Sequence, residues 1–264
     1  MTPRTIQKLF DLSGKTALVT GGSRGLGLQM AHALGEAGAK IMLSSRKAED
    51  LMEAAAELKG AGIDADWIAA DCAKEADIRM LADESIKRMG HVDILVNNAG
   101  AAWGAPAEDH PVEAWDKVMN LNIRGYFILS QHIAKHSMIA RKHGRIINIA
   151  SIAGLGGNPS GMQTIAYNTS KGAAINFTRA LAGEWGVHGI TVNAICPGFF
   201  PSKMTMGTLK ALGEEKLADH APLKRLGDDE DLKGLCVLYA SAAGKHITGQ
   251  YLAVDGGVSI VTGG

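Results

Sequence analysis

Short apolar runs rich in β-branched residues alternate along the chain with longer segments of helical periodicity. The strand-like runs fall at Thr16–Thr20, Lys40–Ser45, Ala65–Asp71, Val92–Asn97, Arg145–Ala150, Ile190–Cys196 and Tyr251–Val254. Between the first two, Leu26 to Ala37 repeats apolar positions at helical spacing and stops at Gly38, a typical helix-end residue. The connections are too long for hairpins, so the strands pair in parallel through right-handed crossovers. The predicted architecture is α/β: a doubly wound, parallel, seven-stranded Rossmann-like sheet with helices on both faces, one domain over residues 1–264. No short-period repeat, low-complexity tract or Pro/Ser-rich linker interrupts it. Residues 199–226, with Pro201, Pro222, two glycines and mixed charge, read as a lid-like helical excursion over a ligand crevice.

Composition narrows the function classes. The 264 residues are 46% hydrophobic and 20% charged, enough for a sizeable core, and Lys+Arg balance Asp+Glu at 27 each. A net charge of zero leaves no basic footprint for nucleic acid. Cys72, Cys196 and Cys236 are scattered without CxxC spacing, so free thiols in a reducing compartment are expected rather than disulfides or a zinc cluster. The N-terminal residues lack the apolar centre of a signal peptide, and no stretch approaches the roughly 18 apolar residues of a membrane span. A cytoplasmic protein with no membrane partner is expected. The nine histidines show no HExxH spacing; His132 and His136 are i,i+4 neighbours, and no metal site is expected.

The chemistry concentrates in a few places. Gly21, Gly25 and Gly27 follow the first strand and open a helix, a setting in which bare backbone approaches a pyrophosphate and free N–H groups stabilise its charge. Their GxxxGxG spacing differs from the GxGxxG dinucleotide fingerprint. The second strand ends in Ser45 and Arg46, where an acidic residue would take a ribose 2′-hydroxyl. With Arg24 in the glycine turn, Arg46 forms a pair of guanidinium groups suited to a 2′-phosphate, so NADP(H) is favoured and NAD(H) is second. Tyr167 and Lys171 stand at i and i+4 on one helix face, so the ammonium is expected to pull the phenol pKa down toward neutrality. Ser151 directly follows the fifth strand and emerges at its carboxyl edge, where ligands bind in such sheets.

From about Leu12 to Val258 the chain resembles the short-chain dehydrogenase/reductase family. The motifs that carry the resemblance are Thr20–Gly27, Asp71, Asn97-Asn98-Ala99-Gly100, Asn122, Ser151, Tyr167-x-x-x-Lys171 and Pro197-Gly198, in that order. The resemblance implies four catalytic residues: Tyr167 as general acid or base, Lys171 on the nicotinamide ribose, Ser151 as donor to the substrate oxygen, and Asn122 supporting a proton relay behind the lysine. It also implies cofactor contacts from Gly21, Ser23, Arg24, Gly25, Leu26 and Gly27, from Ser45 and Arg46, and from Asp71 and Cys72 beside the adenine. Asn98, Ala99 and Gly100 would lie beneath the cofactor, Asn98 serving equally as a brace between strands. Pro197, Gly198, Phe200 and Ser202 would face the nicotinamide carboxamide, Ser202 standing where threonine is usual.

The expected activity is metal-free hydride transfer between a carbonyl and a secondary alcohol. In overall motif texture the chain is nearest to 3-oxoacyl thioester reductases and gluconate 5-dehydrogenase-like enzymes. Lys203, Lys210, Lys224 and Arg225 are candidate contacts for an anionic substrate, and Trp103 for the pocket wall. The loop between Ser151 and Tyr167 is glycine-rich and longer than usual and lies beside the expected substrate pocket, so a relative's substrate does not carry over to this chain by resemblance alone. The alternatives are a catalytically silent nucleotide sensor or scaffold, and an NAD-using epimerase or dehydratase. The family's habit of assembling as tetramers implies a homo-oligomer, through faces near Leu121–Ile133 and Ala173–Trp185 and through the carboxyl-terminal segment.

Overall fold

A computed structural model describes residues 3–158 and 161–261. Seven parallel strands, β1 (Thr16–Thr20), β2 (Lys40–Ser45), β3 (Ala65–Ala69), β4 (Ile94–Asn97), β5 (Gly144–Ile149), β6 (Ile190–Pro197) and β7 (Tyr251–Val254), form one sheet in the order β3-β2-β1-β4-β5-β6-β7. The helices are α1 (Ile6–Phe10), α2 (Gly25–Glu36), α3 (Ala48–Gly60), α4 (Glu75–Met89), α5 (Val112–Met119), α6 (Gly125–Ile133), α7 (Ile139–Arg141), α8 (Ile165–Trp185), α9 (Met206–Leu212), α10 (Glu214–His220) and α11 (Lys233–Ala240). The expected doubly wound sheet is therefore present. Two predicted strands are shorter at one end. Asp71 accepts the Ala73 N–H (3.1 Å) and turns the chain after β3, while Val92 donates its N–H to Ser137 Oγ (2.8 Å) instead of to a ladder.

Alternating residues of each strand feed opposite cores, as the pleat requires. Ala17, Val19, Ile41, Leu43, Ile147 and Ile149 pack under α2, α3 and α11. Leu18, Met42, Leu95, Ile146 and Val192 pack under α4, α6 and α8. Burying both faces of the sheet explains why β1, β5 and β6 are buried throughout their length. Among the described residues no helix is long and apolar enough to cross a membrane.

From β1 the chain winds outward to β2 and β3, then returns across to β4 and on to β7. The reversal opens a crevice at the carboxyl ends of β1 and β4, the usual ligand position in such sheets. Below it a buried polar ladder ties strands to helices: Asn97 Nδ2 donates to Ser130 Oγ and Asn148 Oδ1, and Asn148 Nδ2 donates to Thr178 Oγ1, each at 2.9 Å. The excursion at 199–226 contains α9 and α10, and its base is closed by Gly227 N–H donating to Phe199 O at 2.9 Å.

Asn148→Ala would leave one Asn97 amide proton without its acceptor and remove a donor from Thr178. A loss of about 2–3 kcal/mol is expected. Denaturant unfolding should report it as a lower midpoint at unchanged slope.

Candidate active site

The glycine turn between β1 and α2 is a close-fitting cradle. Gly21 (φ +63°) and Gly25 (φ +53°) adopt left-handed backbone, and a Cβ on Gly27 would stand 2.2 Å from Gly21 O. Asn98 Nδ2 donates to Thr20 O (2.9 Å) and Gly21 O (3.1 Å). Thr20 Oγ1 in turn accepts the N–H groups of Asn98 (3.0 Å) and Ala99 (3.1 Å). Asn98 therefore braces the turn from the end of β4, and it lines the crevice together with Ala99 and Gly100.

That crevice has a volume of about 920 Å³. Ser23, Arg24, Gly25, Leu26 and Gly27 form one wall, Ser45 and Arg46 the end of β2, and Asp71 and Cys72 the end of β3. Ser45 Oγ is buried there without a hydrogen-bond partner. Arg46 is exposed and makes no ion pair among the described residues, whereas Arg24 Nη1 lies 3.2 Å from Asp50. Asp50 also lines the crevice and was not anticipated; its position three residues into α3, facing the glycine turn, depends on how α3 packs. Burial and the nearby Asp71 and Asp77 charges push the Cys72 thiol up to about 12, so it presents as an apolar contact. An orphaned hydroxyl, an unpaired guanidinium and an open backbone cradle together fit a phosphorylated dinucleotide.

At the other end α8 brings Tyr167 and Lys171 against the edge of β5. The Lys171 side chain is buried, and its Nζ donates to Ile149 O at 2.6 Å. Tyr126 OH donates to the same carbonyl at 3.2 Å. The ammonium stands 5.7 Å from the Tyr126 ring centre and 5.6 Å from that of Tyr167. Burial brings Lys171 down to about 8. Burial also raises Tyr167 above its ordinary value, opposed by hydrogen bonding from Ser151. The expected lowering of the phenol pKa is thus not met in the chain by itself. Desolvation outweighs an ammonium that points at a carbonyl rather than at the phenol oxygen.

Ser151 follows β5, lines the crevice, and its Oγ accepts the Ala153 N–H at 3.1 Å, capping a short 3₁₀ turn. Asn122 does not line the crevice. Its Oδ1 accepts the Ala101 N–H (2.8 Å), and its Nδ2 donates to Ala101 O and Ser170 Oγ (each 2.9 Å). It sits in a π-helical turn, Asn120–Arg124, that joins α5 to α6. Asn122 and Lys171 flank Gly100, since a Cβ there would lie 3.3 Å from Asn122 Oδ1 and 3.7 Å from Lys171 Nζ.

Pro197, which ends β6, and Gly198, Phe200 and Ser202 after it all border the crevice. Phe200 is 3% exposed, its ring packed over Gly227, so its carbonyl rather than its side chain organises the turn. Thr205 Oγ1 donates to Phe200 O at 2.5 Å and lies 2.9 Å from Ser202 Oγ. Thr205 is a further crevice residue that the pattern of the sequence did not reveal. Of the anticipated cations Lys203 lines the crevice, while Arg225 is tied to Asp231 at 2.6 Å and Lys224 to Asp219 O at 2.6 Å. Trp103 is 45% exposed outside the crevice under Lys117, and His132 Nε2 is 2.6 Å from Asp83. In the loop before α8, Asn158 Nδ2 and Asn168 Oδ1 are 2.9 Å apart, and Asn168 Nδ2 donates to Ala153 O at 2.8 Å. Pro159 and Ser160 of that loop, and the carboxyl-terminal residues 262–264, lie outside the described residues.

Comparison with known proteins agrees with this geometry. Over 254 residues, 94% of this chain and 97% of the relative, the sequence is 41% identical to the 3-oxoacyl-acyl-carrier-protein reductase of rhamnolipid biosynthesis from Pseudomonas aeruginosa. It is 37% identical over 257 residues to gluconate 5-dehydrogenase from Gluconobacter oxydans, covering 96% and 97% of the two chains. The crystal structure of a gluconate 5-dehydrogenase from Burkholderia cenocepacia in complex with NADP and tartrate superposes with a TM-score of 0.92 at 36% identity, covering 98% of this chain and 100% of that one. Residues 15–212 match the family model described as short chain dehydrogenase, and the chain belongs to that family.

Proposed function

We propose that the protein is an NADP(H)-dependent oxidoreductase that interconverts a carbonyl and a secondary alcohol, with Tyr167 as the proton donor in reduction. The observation that carries this reading is the convergence of Ser151, Tyr167 and Lys171 on one crevice that also holds the glycine cradle. The intact trio speaks against a silent nucleotide-binding protein. When bound, the coenzyme supplies the hydride. Everything else falls to the chain.

Ser151 and Tyr167 present two hydroxyls to the carbonyl oxygen, where negative charge grows during reduction. Tyr167, kept neutral by burial, holds the proton at its Oη until that charge develops. Lys171 supplies positive charge behind the phenol and has protons to offer the ribose hydroxyls once released from Ile149 O. Asn122 acts at one remove: it fixes the Ala101 backbone and so the floor on which Gly100 passes over Lys171. In oxidation the same phenol must first lose its proton, so alkaline pH favours that direction.

Arg46, Arg24 and the partnerless Ser45 Oγ suit a 2′-phosphate, and no carboxylate stands at the end of β2 to take a 2′-hydroxyl. The NADP complexes of the Burkholderia structure and of Pseudomonas aeruginosa RhlG, the latter at TM-score 0.88 and 39% identity, support the same coenzyme. Lys203 at the crevice favours a substrate that carries an anionic group, a carboxylate or a phosphopantetheine phosphate, in keeping with the relatives named above. Residues 199–226 serve as the lid over it. Self-association into a homo-oligomer, a tetramer by resemblance, fits Phe127, which is 46% exposed on α6.

Three outcomes are expected. Tyr167→Phe should lower kcat for ketone reduction about 10²–10⁴-fold while NADPH still binds, read by steady-state assay and fluorescence titration. Arg46→Ala with Arg24→Ala should lower kcat/KM for NADPH about 10–100-fold and leave NADH nearly unchanged. The third concerns linkage at Lys171, whose pKa is about 8 folded and 10.5 unfolded. Between these values the unfolded chain binds more protons at Lys171, so stability gains from this group as pH rises through the window. Melts from pH 7 to 10 should show the parent gaining stability relative to Lys171→Met across that window.

A further inference from the structure

A second cavity, of about 270 Å³, lies at the amino ends of the strands, far from the crevice. Arg145 near the start of β5 lines it; Arg4, Lys15, Lys245 and His143 line it too, and Asp11 is the one carboxylate on its lining among the described residues. The six residues of β5 separate this cavity from Ser151 by roughly 20 Å. No step proposed for the crevice uses it.

Arg145 is 7% exposed and forms no ion pair among the described residues. Its Nη1 donates to Gly144 O at 2.8 Å, and its Nε is buried with no partner. The acid whose charge reaches it, Asp93, is committed elsewhere: to Arg141, to the Thr16 N–H at 3.2 Å and to His91 at 3.1 Å. Asp11 likewise spends Oδ1 on the Ser13 N–H at 2.9 Å. A buried guanidinium without a carboxylate in direct contact is unfavourable, and water would satisfy its hydrogen bonds without neutralising it. Thr191, the register neighbour of Arg145 on β6, also has a buried Oγ1 without a partner.

We propose that this cavity is an anion site for a phosphate group, with Arg145 as the buried anchor and Arg4, Lys15 and Lys245 as the cationic rim. Arg presents paired N–H donors whose spacing matches phosphate oxygens, and the lysines add point charges. The volume takes one phosphate or a small phosphate monoester, not a polymer. His143, pushed down to about 4 by burial and by Arg145 and Lys15, leaves a neutral imidazole on the wall as a reporter.

The test titrates the full chain with inorganic phosphate against chloride at fixed ionic strength, below concentrations at which phosphate stabilises proteins generally. Thermal midpoint and His143 imidazole NMR signals are read together. Phosphate should shift both saturably, and chloride neither. Lys15→Gln with Lys245→Gln should weaken the phosphate response about ten-fold or more, whereas Arg24→Ala with Arg46→Ala leaves it intact. Arg145→Met should abolish the response and melt above the parent in phosphate-free buffer. Should Arg145→Met fail to fold, the lysine pair carries the comparison. Equal shifts with chloride, or a response lost in the Arg24 and Arg46 pair but kept in the lysine pair, would overturn the proposal. Glycerol phosphate binding about ten-fold tighter than orthophosphate supports the site and assigns it to organic phosphates; equal affinity supports it as a site for free phosphate.

Discussion

The structure turns on one buried ammonium. Lys171 is 3% exposed, and its direct hydrogen bond is to the Ile149 carbonyl, which Tyr126 also uses. Burying that charge is unfavourable, and its pKa of about 8 expresses the strain. Two tyrosine rings near 5.6 Å offer their faces as partial compensation. A ligand with hydroxyl groups would complete the shell, which favours the proposed role of the lysine in binding over a purely structural one. Around it the other parts are fixed: Gly100 crosses it, Asn122 holds the strand end beyond, and Gly154 packs so tightly on α8 that a Cβ would stand 2.5 Å from the Lys171 carbonyl carbon.

The sheet explains how such distant residues meet. Ser151, Tyr167, Pro197 and the glycine turn are spread over most of the chain, yet each follows or faces the carboxyl end of a strand. The reversal of winding between β1 and β4 keeps those ends uncovered. Polar contacts at this edge are directed: Asn98 closes the turn after β1, and Asn97 and Asn148 lock the floor under it. The amino edge carries its own unpaired charge at Arg145. One fold thus offers two polar ends, of which the proposed chemistry occupies one.

Much of this was legible in the chain. Seven strands could be placed within two residues because sheets buried on both faces leave continuous apolar runs, as in β1 and β6. The glycine turn, Ser45 with Arg46, Ser151 and the Tyr167–Lys171 spacing stand out because each is local in sequence, and all of them line the crevice. What escaped was non-local. The Arg24–Asp50 pair joins residues from two elements, Tyr126 meets Lys171 at the Ile149 carbonyl and through its ring face, and Thr205 matters by what it does to Phe200 and Ser202. The direction of the Tyr167 shift is non-local in the same way: i,i+4 spacing gives proximity, but burial decides its effect.

The most direct test of the central claim is a crystal structure of the NADP complex. The account predicts that the Lys171 ammonium leaves Ile149 O for the nicotinamide ribose hydroxyls, with Tyr167 Oη and Ser151 Oγ facing the reactive ring edge. A complex in which the ammonium stays on Ile149 O and the nicotinamide lies away from both hydroxyls would contradict it.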